Sequence, residues 1–282
     1  MIKVFSPDNI NREDVIKLWQ LSFGDPREYV EFFLDNCPDY VCIEYFSEDK
    51  LASMLFLLEG ELASEKCKYL YAACTDIRFR RQGIMEKLIT FTKEYCSEQG
   101  YSSIFLVPAN DKLYSYYAKF GFIDSFRKKV LSTTNKFSSD AESEETDIQK
   151  IFQTKKQLLK NIECFSFSDD VIKYTIKEHF YNNGKVFLNS TVNNETVAFY
   201  YKSHQNCIVK EFLFRQDYVP TENFQQFTNK NVENIYISTP MVYNSKDIVE
   251  KYTKCGMAFP INSQLSDFLK RHTDLYAGMY LD

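Results

Sequence analysis

The sequence predicts an α/β (α+β) protein in which a mixed, mostly antiparallel sheet is flanked by helices. Segments with helical periodicity alternate with short runs rich in branched and aromatic residues, and several of these runs are spaced as hairpins. The order of elements then repeats in the second half, which indicates two copies of one unit. Between them, residues 134–147 are rich in Ser and acids and are interpreted as a linker. The predicted domains are residues 1–133 and residues 148–282.

The first half begins with a short strand and an amphipathic helix. Val15, Leu18 and Trp19 share one helix face, Gly24 ends the helix, and Pro26 opens a second one. Three strand runs follow, "DYVCIEYF", "KLASMLFLLEGEL" and "CKYLYAACTD", with the turn "SEDK" joining the first two. A helix to about residue 99, the strand "SSIFLVP", the short helix "DKLYSYYAKF" and the strand "GFIDSFRKKVLS" complete this half.

The second half opens with two predicted helices, at residues 148–161 and 169–181. The strands "KVFLNST", "ETVAFYYKS" and "CIVKEFLF" follow with hairpin spacing, and "NIYIST" is a further strand. Helices are predicted near residues 222–229 and over "SKDIVEKYTKCG", before a terminal apolar run, "LYAGMYL". We therefore interpret the second half as a diverged copy of the first.

Composition excludes several classes of function. A net charge of −5 and a pI of about 5.4 argue against general nucleic-acid binding, which needs a basic face. The start has no secretory h-region, and no run approaches the roughly 18 uncharged apolar residues of a membrane helix. The eight cysteines show no C-x-x-C spacing, and the three histidines show no metal spacing. We expect a cytoplasmic protein with no metal and no membrane or nucleic-acid partner.

One short stretch carries the strongest functional signal. "RFRRQGIMEKL", residues 78–88, lies between a strand ending at Thr75 and a helix, and contains three arginines and Gly83. The first N–H groups of a helix have no intrahelical partner and favour anions, and glycine permits close approach by a phosphate. The Walker and Rossmann patterns both fail, because no G-K-[ST] follows and only one glycine is present. A solvated basic loop capping a helix is the alternative.

Two motifs in the first half resemble those of the GNAT superfamily of N-acetyltransferases. "RRQGIM", residues 80–85, is similar to the family signature [QR]-x-x-G-x-[GA], with Met85 at the position of the usual small residue. Asn110, Tyr117 and the Gly-Phe pair at 121–122 have the spacing of the family's second motif. The resemblance covers about residues 1–130. It implies a GNAT sheet that binds acyl-CoA, followed by a diverged GNAT-like domain.

The resemblance also implies the cofactor, acetyl-CoA (coenzyme A), and an acceptor that is the amine of a small molecule or peptide. Acetyl-CoA would lie in a V-shaped opening between the strand ending at Asp76 and the strand ending at Val107. Tyr117 would be catalytic and would protonate the leaving thiolate. The residues that would bind the cofactor are Ala73, Thr75, Arg80, Arg81, Gln82, Gly83, Ile84, Met85 and Asn110.

Each of these residues has a structural alternative. Tyr117 shares a helix face with Phe120 and could be a core residue. Asn110 follows a proline segment and could be a turn or N-cap residue. Arg80 is expected to contact the ligand or brace the loop, and Cys74 to be a buried strand thiol rather than a nucleophile.

The general base and the acceptor stay open. Glu59, Glu61 and Asp76 are candidate bases from the sequence. The tandem arrangement resembles Eis-type acetyltransferases without their sterol-carrier domain, and that resemblance adds the terminal carboxylate of Asp282. The second half has no glycine after its long strand and is expected to have lost cofactor binding. A non-catalytic acyl-CoA-binding or sensing protein is the alternative function, and the oligomeric state is open.

Overall fold

The computed structural model describes residues 1–134, 144–191, 194–215, 232–243, 249–278 and 281. The chain divides into two compact units. The first comprises Met1–Asp124, Ser166–Tyr174 and Gly256–His272, and the second comprises Ser125–Phe165, Thr175–Cys255 and Thr273–Asp282. Both units therefore draw on both halves of the sequence. The proposed linker and the helix expected at 222–229 lie largely or wholly outside the described residues, and the domain limits stay a prediction.

The first half has the elements that its sequence predicts, in the same order. Asn11 caps the first helix by accepting a hydrogen bond from Asp14 N, and Gly24 ends it at φ +80°. The elements are β1 (Ile2–Phe5), α1 (Arg12–Phe23), α2 (Arg27–Asn36), β2 (Val41–Ser47), β3 (Lys50–Leu62), β4 (Glu65–Thr75), a 3₁₀ turn (Ile77–Phe79), α3 (Ile84–Glu98), β5 (Ser103–Leu106), α4 (Asp111–Ala118) and β6 (Ile123–Thr134).

The described part of the second half agrees with its prediction except at Cys164–Phe167, a strand that was not predicted, and near the end, where the helix Ser263–Arg271 was not predicted either. A helix was expected over "SKDIVEKYTKCG", but its described part, from residue 249 onward, is strand. Tyr252 is exposed there, whereas Cys255, Met257 and Ala258 are buried, and Met257 and Ala258 pair with Leu106 and Phe105 as strand neighbours. The elements are α5 (Ile148–Leu159), β7 (Cys164–Phe167), α6 (Asp169–Tyr181), β8 (Lys185–Thr191), β9 (Asn194–Ser203), β10 (Asn206–Phe214), β11 (Asn234–Thr239), β12 (Val249–Pro260), α7 (Ser263–Arg271) and β13 (Tyr276–Ala277).

The sheet of the first unit has the order β1-β2-β3-β4-β5-β12. All neighbours are antiparallel except β4 and β5, which run parallel. The part of β12 in this unit pairs with β5, with Met257 opposite Leu106. The last strand of this sheet thus comes from the second half of the sequence, which is why local patterns could not reveal it.

The sheet of the second unit repeats this plan. Strands β8, β9 and β10 are antiparallel neighbours, β10 and β11 run parallel, and β11 pairs antiparallel with β6. Here too the outermost strand, β6, comes from the other half of the sequence. The two units share one order of parallel and antiparallel pairs, as expected for two copies of one unit.

The faces of the first sheet differ in chemistry. Against α1 and α2, Trp19 packs on Phe33 and Phe56 with ring centroids 5.1 and 5.5 Å away. Against α3, the core is mainly aliphatic and includes Leu55 and Leu88.

Within the described residues, no helix combines the length and apolarity needed to cross a membrane, and no three His, Cys, Asp or Glu side chains are grouped as metal ligands would be.

Candidate active site in the first unit

Strand β4 outruns its parallel neighbour. It pairs with β5 from Cys67 to Tyr69 and continues for six more residues, to Thr75. A register shift against β3 and a φ of +47° at Ala72 mark a bulge in this stretch. The end of β4 therefore extends past its residue pairs with β5, and the opening between these two strands stays a prediction.

Backbone direction at this end of β4 is fixed by bonds to β3. Ser53 Oγ donates to the Cys74 carbonyl at 2.7 Å, and Asp76 N donates to the carbonyl of Ala52 at 2.9 Å. Because backbone groups alternate in direction along a strand, those of Ala73 and Thr75 face away from β3 and toward the opening.

The loop after β4 is held by charged contacts. Asp76 accepts from Arg78 N at 2.9 Å and pairs with the Arg78 guanidinium at 2.6 Å. The hydrogen bond from Arg78 keeps the pKa of Asp76 below its usual value, which makes it a poor base. Arg80 Nε donates to the Thr75 carbonyl at 2.9 Å, so Arg80 braces the loop across its base.

Helix α3 begins at this loop in a way that suits an anion. Arg81 and Gly83 have φ angles of +63° and +71°, and Gly83 is the N-cap of the helix. Gly83 has no side chain to accept hydrogen bonds from the first N–H groups of the helix, which carry the positive end of its dipole. A Cβ placed on Gly83 would meet no atom within 4 Å, so the space before these amides is open.

A cavity of about 500 Å³ brings the strand end, the loop and α4 together. It includes eight of the predicted site residues, but neither Gln82, whose side chain donates to the Arg78 carbonyl at 3.4 Å, nor Asn110. Asn110 accepts a hydrogen bond from Leu113 N at 3.2 Å and caps α4. This is the N-cap role that the sequence offered as the alternative to cofactor binding. The lining residues are Ser22, Phe23, Ala73, Cys74, Thr75, Phe79, Arg80, Arg81, Gly83, Ile84, Met85, Glu86, Leu113, Tyr116 and Tyr117.

Two tyrosines of α4 line this cavity. Tyr117 is 8% exposed, and burial raises its pKa, so its phenol stays protonated at neutral pH. Tyr116 is half-buried and contacts the Tyr117 ring edge-on, with centroids 5.3 Å apart. Burial, and to a smaller extent the charge of Glu86, raise the pKa of Tyr116 as well. Tyr117 therefore combines a core position with access to the cavity.

The wall nearest α1 was missed from the sequence. Ser22 and Phe23 line the cavity there, and their signal is the continued helical spacing one turn beyond Leu18 and Trp19. Cys74 lies in the same wall, and burial raises its pKa to about 12. The thiol is therefore not a nucleophile at neutral pH, in agreement with the sequence interpretation.

Two of the candidate bases, Glu59 and Glu61, lie away from the cavity. Glu59 lies opposite Lys68 at the start of β4, where it pairs with Lys68 and accepts from Tyr101 Oη at 2.6 Å. Glu61 lies still closer to that hairpin end. At about 3.3 Å per residue, the stretch from Lys68 to Ala73 places Glu59 roughly 17 Å along the strand from the nearest lining residue of β4, and Glu61 lies farther away. Asp282 lies outside the described residues.

Comparison with known proteins agrees with this geometry. Residues 8–123 match the family model described as an acetyltransferase (GNAT) domain. This stretch of the chain is therefore similar to a GNAT acetyltransferase domain. No curated protein matches the sequence significantly. The resemblance drawn from the two motifs is thereby confirmed for the part of the chain that contains the cavity.

Solved structures extend the similarity of fold to nearly the whole chain. A GCN5-related N-acetyltransferase from Anabaena variabilis is 14% identical, with a TM-score of 0.68 over 93% of this chain and 73% of that one. Eis1 from Mycobacterium abscessus is 8% identical, with a TM-score of 0.64 over 95% and 76%. A tandem GNAT protein from the clavulanic acid biosynthesis pathway is 9% identical, with a TM-score of 0.55 over 93% and 99%. The predicted mixed, mostly antiparallel GNAT fold is confirmed.

Proposed function

We propose that the chain is an acetyl-CoA-dependent N-acyltransferase that moves an acetyl group to the amine of a small molecule or peptide. One observation carries the proposal. A single cavity joins the unpaired end of β4, the N-terminus of α3 and the buried Tyr117. A fold alone does not determine function, but this cavity provides separate places for an anion, a thioester arm and a proton donor.

The cofactor would be held mainly by backbone. Ala73 and Thr75 present strand groups to the opening, as an added strand would require. The amides at Gly83 and beyond would receive the pyrophosphate, with Arg81 adding charge beside them. Ile84 and Met85 line the same wall. Gln82 and Asn110 are proposed as outer contacts, since neither lines the cavity.

Acetyl-CoA supplies the acetyl group as a thioester. Tyr117 would hold the proton that the departing sulfur needs. A phenol is a weaker acid than a thiol with a pKa near 8.5, so Tyr117 must donate its proton as the carbon–sulfur bond breaks rather than before. Backbone N–H groups of the opening would stabilise the oxyanion.

The alternative is a protein that binds acyl-CoA without turning it over. The scarcity of carboxylates that could act as a general base favours this alternative. Within the described lining only Glu86 carries a carboxylate, and it lies in the first turn of α3. In the enzyme, the acceptor would therefore arrive as a neutral amine or lose its proton to water.

The second half is proposed to be a GNAT-like domain without a cofactor, separated by a linker at residues 134–147. Its role would be structural, and it would not bind a second acetyl-CoA. The cytoplasm is the proposed compartment.

Exchange of Tyr117 separates enzyme from sensor. Tyr117→Phe should lower kcat at least a hundred-fold, as loss of a general acid does, while acetyl-CoA affinity stays unchanged. Tyr116→Phe is the matched control, since it removes the neighbouring hydroxyl from the same cavity, and should change kcat less than three-fold. Equal effects of the two variants would refute the role of Tyr117. Tight acetyl-CoA binding without turnover of any amine would favour the sensor.

A further inference from the structure

The two walls of the cavity differ in charge. The loop wall carries Arg80 and Arg81, where the proposal places the cofactor's phosphates. The wall at the end of α1 consists of Ser22 and Phe23, which carry no charge. A ligand part that meets the α1 wall is therefore offered an aromatic surface and a hydroxyl rather than an ion-pair partner.

Phe23 is one of a small set of exposed apolar side chains in this unit. In the described part of the first unit, the exposed large apolar residues are Met1, Val4, Leu21, Phe23 and Ile77. Three of these five belong to the two segments that also supply cavity lining, the last turn of α1 and the turn after β4. Leu21 and Ile77 are each 77% exposed, and Phe23 is 47% exposed. Of these five, Phe23 alone lines the cavity, where it offers a ligand an exposed aromatic surface.

Phe23 is held in place by its own helix. Its ring meets that of the fully buried Trp19 edge-on, with centroids 5.8 Å apart. Trp19 is fixed in turn because its Nε1 donates to Asp25 Oδ2 at 2.7 Å. Phe23 is therefore an ordered aromatic surface at the cavity rather than a loose side chain.

The same end of α1 favours a positive charge. The helix ends at Gly24, its last turn contains no basic residue, and its terminal carbonyls carry the negative end of the dipole. The Asp25 carboxylate adds negative charge one residue further on. The N–H groups of a neutral amine can therefore donate to these carbonyls, and an apolar group is stabilised on Phe23 beside it.

We propose that the acceptor is a small primary amine that carries one apolar arm, aromatic or branched aliphatic, with its amine at the end of α1 and its arm on Phe23. This inference rests on the proposed N-acyltransferase function. A polycationic acceptor is disfavoured, because the charged residues in the described lining are two arginines and the single acid Glu86.

Steady-state release of free CoA thiol tests the inference. The panel contains 2-phenylethylamine and isoamylamine as apolar monoamines, and spermidine and ethanolamine as polar amines. The apolar amines should show a kcat/KM at least ten-fold above the polar ones. Phe23→Ala should lower kcat/KM for the apolar amines about ten-fold through KM and leave the polar amines unchanged. Val4→Ala, at an exposed apolar residue outside the cavity lining, is the matched control and should change neither.

A second variant at Phe23 tests whether this wall sets the selectivity between amines. Phe23→Asp places an acid at the same wall and should raise kcat/KM for spermidine relative to 2-phenylethylamine. Selectivity for spermidine in the parent chain, or an equal loss for all amines in both Phe23 variants, would overturn the inference. So would acetyl-CoA binding without acetylation of any panel member. Failure of the parent chain to bind acetyl-CoA in calorimetry would instead refute the proposed function itself.

Discussion

The two units differ at the end of the long strand that extends past its parallel neighbour. In the second unit, as in the first, the long strand outruns its parallel partner: β10 pairs with β11 up to Val209 and continues to Phe214. There the opening is closed by the unit's own side chains. Thr239 Oγ1 donates to the Phe212 carbonyl at 2.8 Å, and Tyr243 Oη donates to the Phe214 carbonyl at 2.9 Å. The rings of Phe214 and Tyr243 stack with centroids 3.9 Å apart.

Buried backbone groups must find partners, whether from the chain, from water or from a ligand. The second unit supplies them internally, while the first leaves the strand end at Ala73 beside a cavity. Thr75 is a partial exception, because its carbonyl already accepts from Arg80. The difference supports the proposal that the first unit binds the ligand, because the carbonyls of Phe212 and Phe214 in the second unit already have side-chain partners.

Buried carboxylates sharpen the comparison. In the second unit Glu211 pairs with Lys155 and accepts from Tyr276 Oη at 3.1 Å. In the first unit Glu44 is equally buried, accepts only a thiol contact from Cys42 at 3.7 Å, and its Oε2 has no hydrogen-bond partner within the described chain. Burial therefore raises the pKa of Glu44 to about 7.

The largest expected effect on stability follows from Glu44. Its carboxyl is protonated in the folded state up to about pH 7, whereas the unfolded chain ionises near its ordinary value of 4.5. The free energy of unfolding therefore falls by about 3 kcal/mol as the pH rises from 4.5 to about 7. Glu44→Gln should remove this decline. Urea unfolding at pH 4.5 and pH 8 measures it, and parallel pH profiles for the two proteins would contradict the assignment.

A smaller loss of stability is expected when the Tyr243 hydroxyl is removed from the opening in the second unit. Tyr243→Phe leaves the Phe214 carbonyl and N–H without their side-chain partner and should lower the free energy of unfolding by about 2 kcal/mol. Acetyl-CoA affinity should not change, because this opening is not the binding site. Urea denaturation and calorimetry test the two halves of the prediction. Weakened cofactor binding with unchanged stability would reverse the assignment of the two openings.

The smallest effect separates backbone strain from ligand contact. Gly83 and Gly100 have φ angles of +71° and +77°, and a Cβ at either would meet nothing within 4 Å. Alanine at either position should cost about 1 kcal/mol of stability through strain alone. Only Gly83→Ala should weaken acetyl-CoA binding, by about ten-fold, since its Cβ enters the space before the α3 amides. Equal affinities in the two variants would move the phosphate site elsewhere.

Local signals predicted the first half of the fold well. The glycine stop at Gly24, the hairpin spacing and the glycine before α3 all act within a few residues of where they occur in the sequence. The same holds for the cavity wall that contains Gly83 and Tyr117.

Non-local partners explain what the sequence could not show. The segment before Gly256 has helical spacing, but the strand it joins pairs Met257 with Leu106, about 150 residues away in the chain. Tyr243 reaches Phe214 across 29 residues, so the closure of the second opening leaves no local pattern. The lining role of Phe23 needed the position of α1 over the end of β4. Each miss therefore concerns a contact between distant segments.

Calorimetric titration with acetyl-CoA tests the contrast between the two openings most directly. The account predicts one molecule bound per chain with micromolar affinity, and a loss of at least ten-fold in Arg80→Glu, where the brace to Thr75 and a positive charge beside the amides are both removed. Two molecules bound per chain would show that the second opening still accepts cofactor. No binding, or equal binding by the variant, would contradict the assignment of the first.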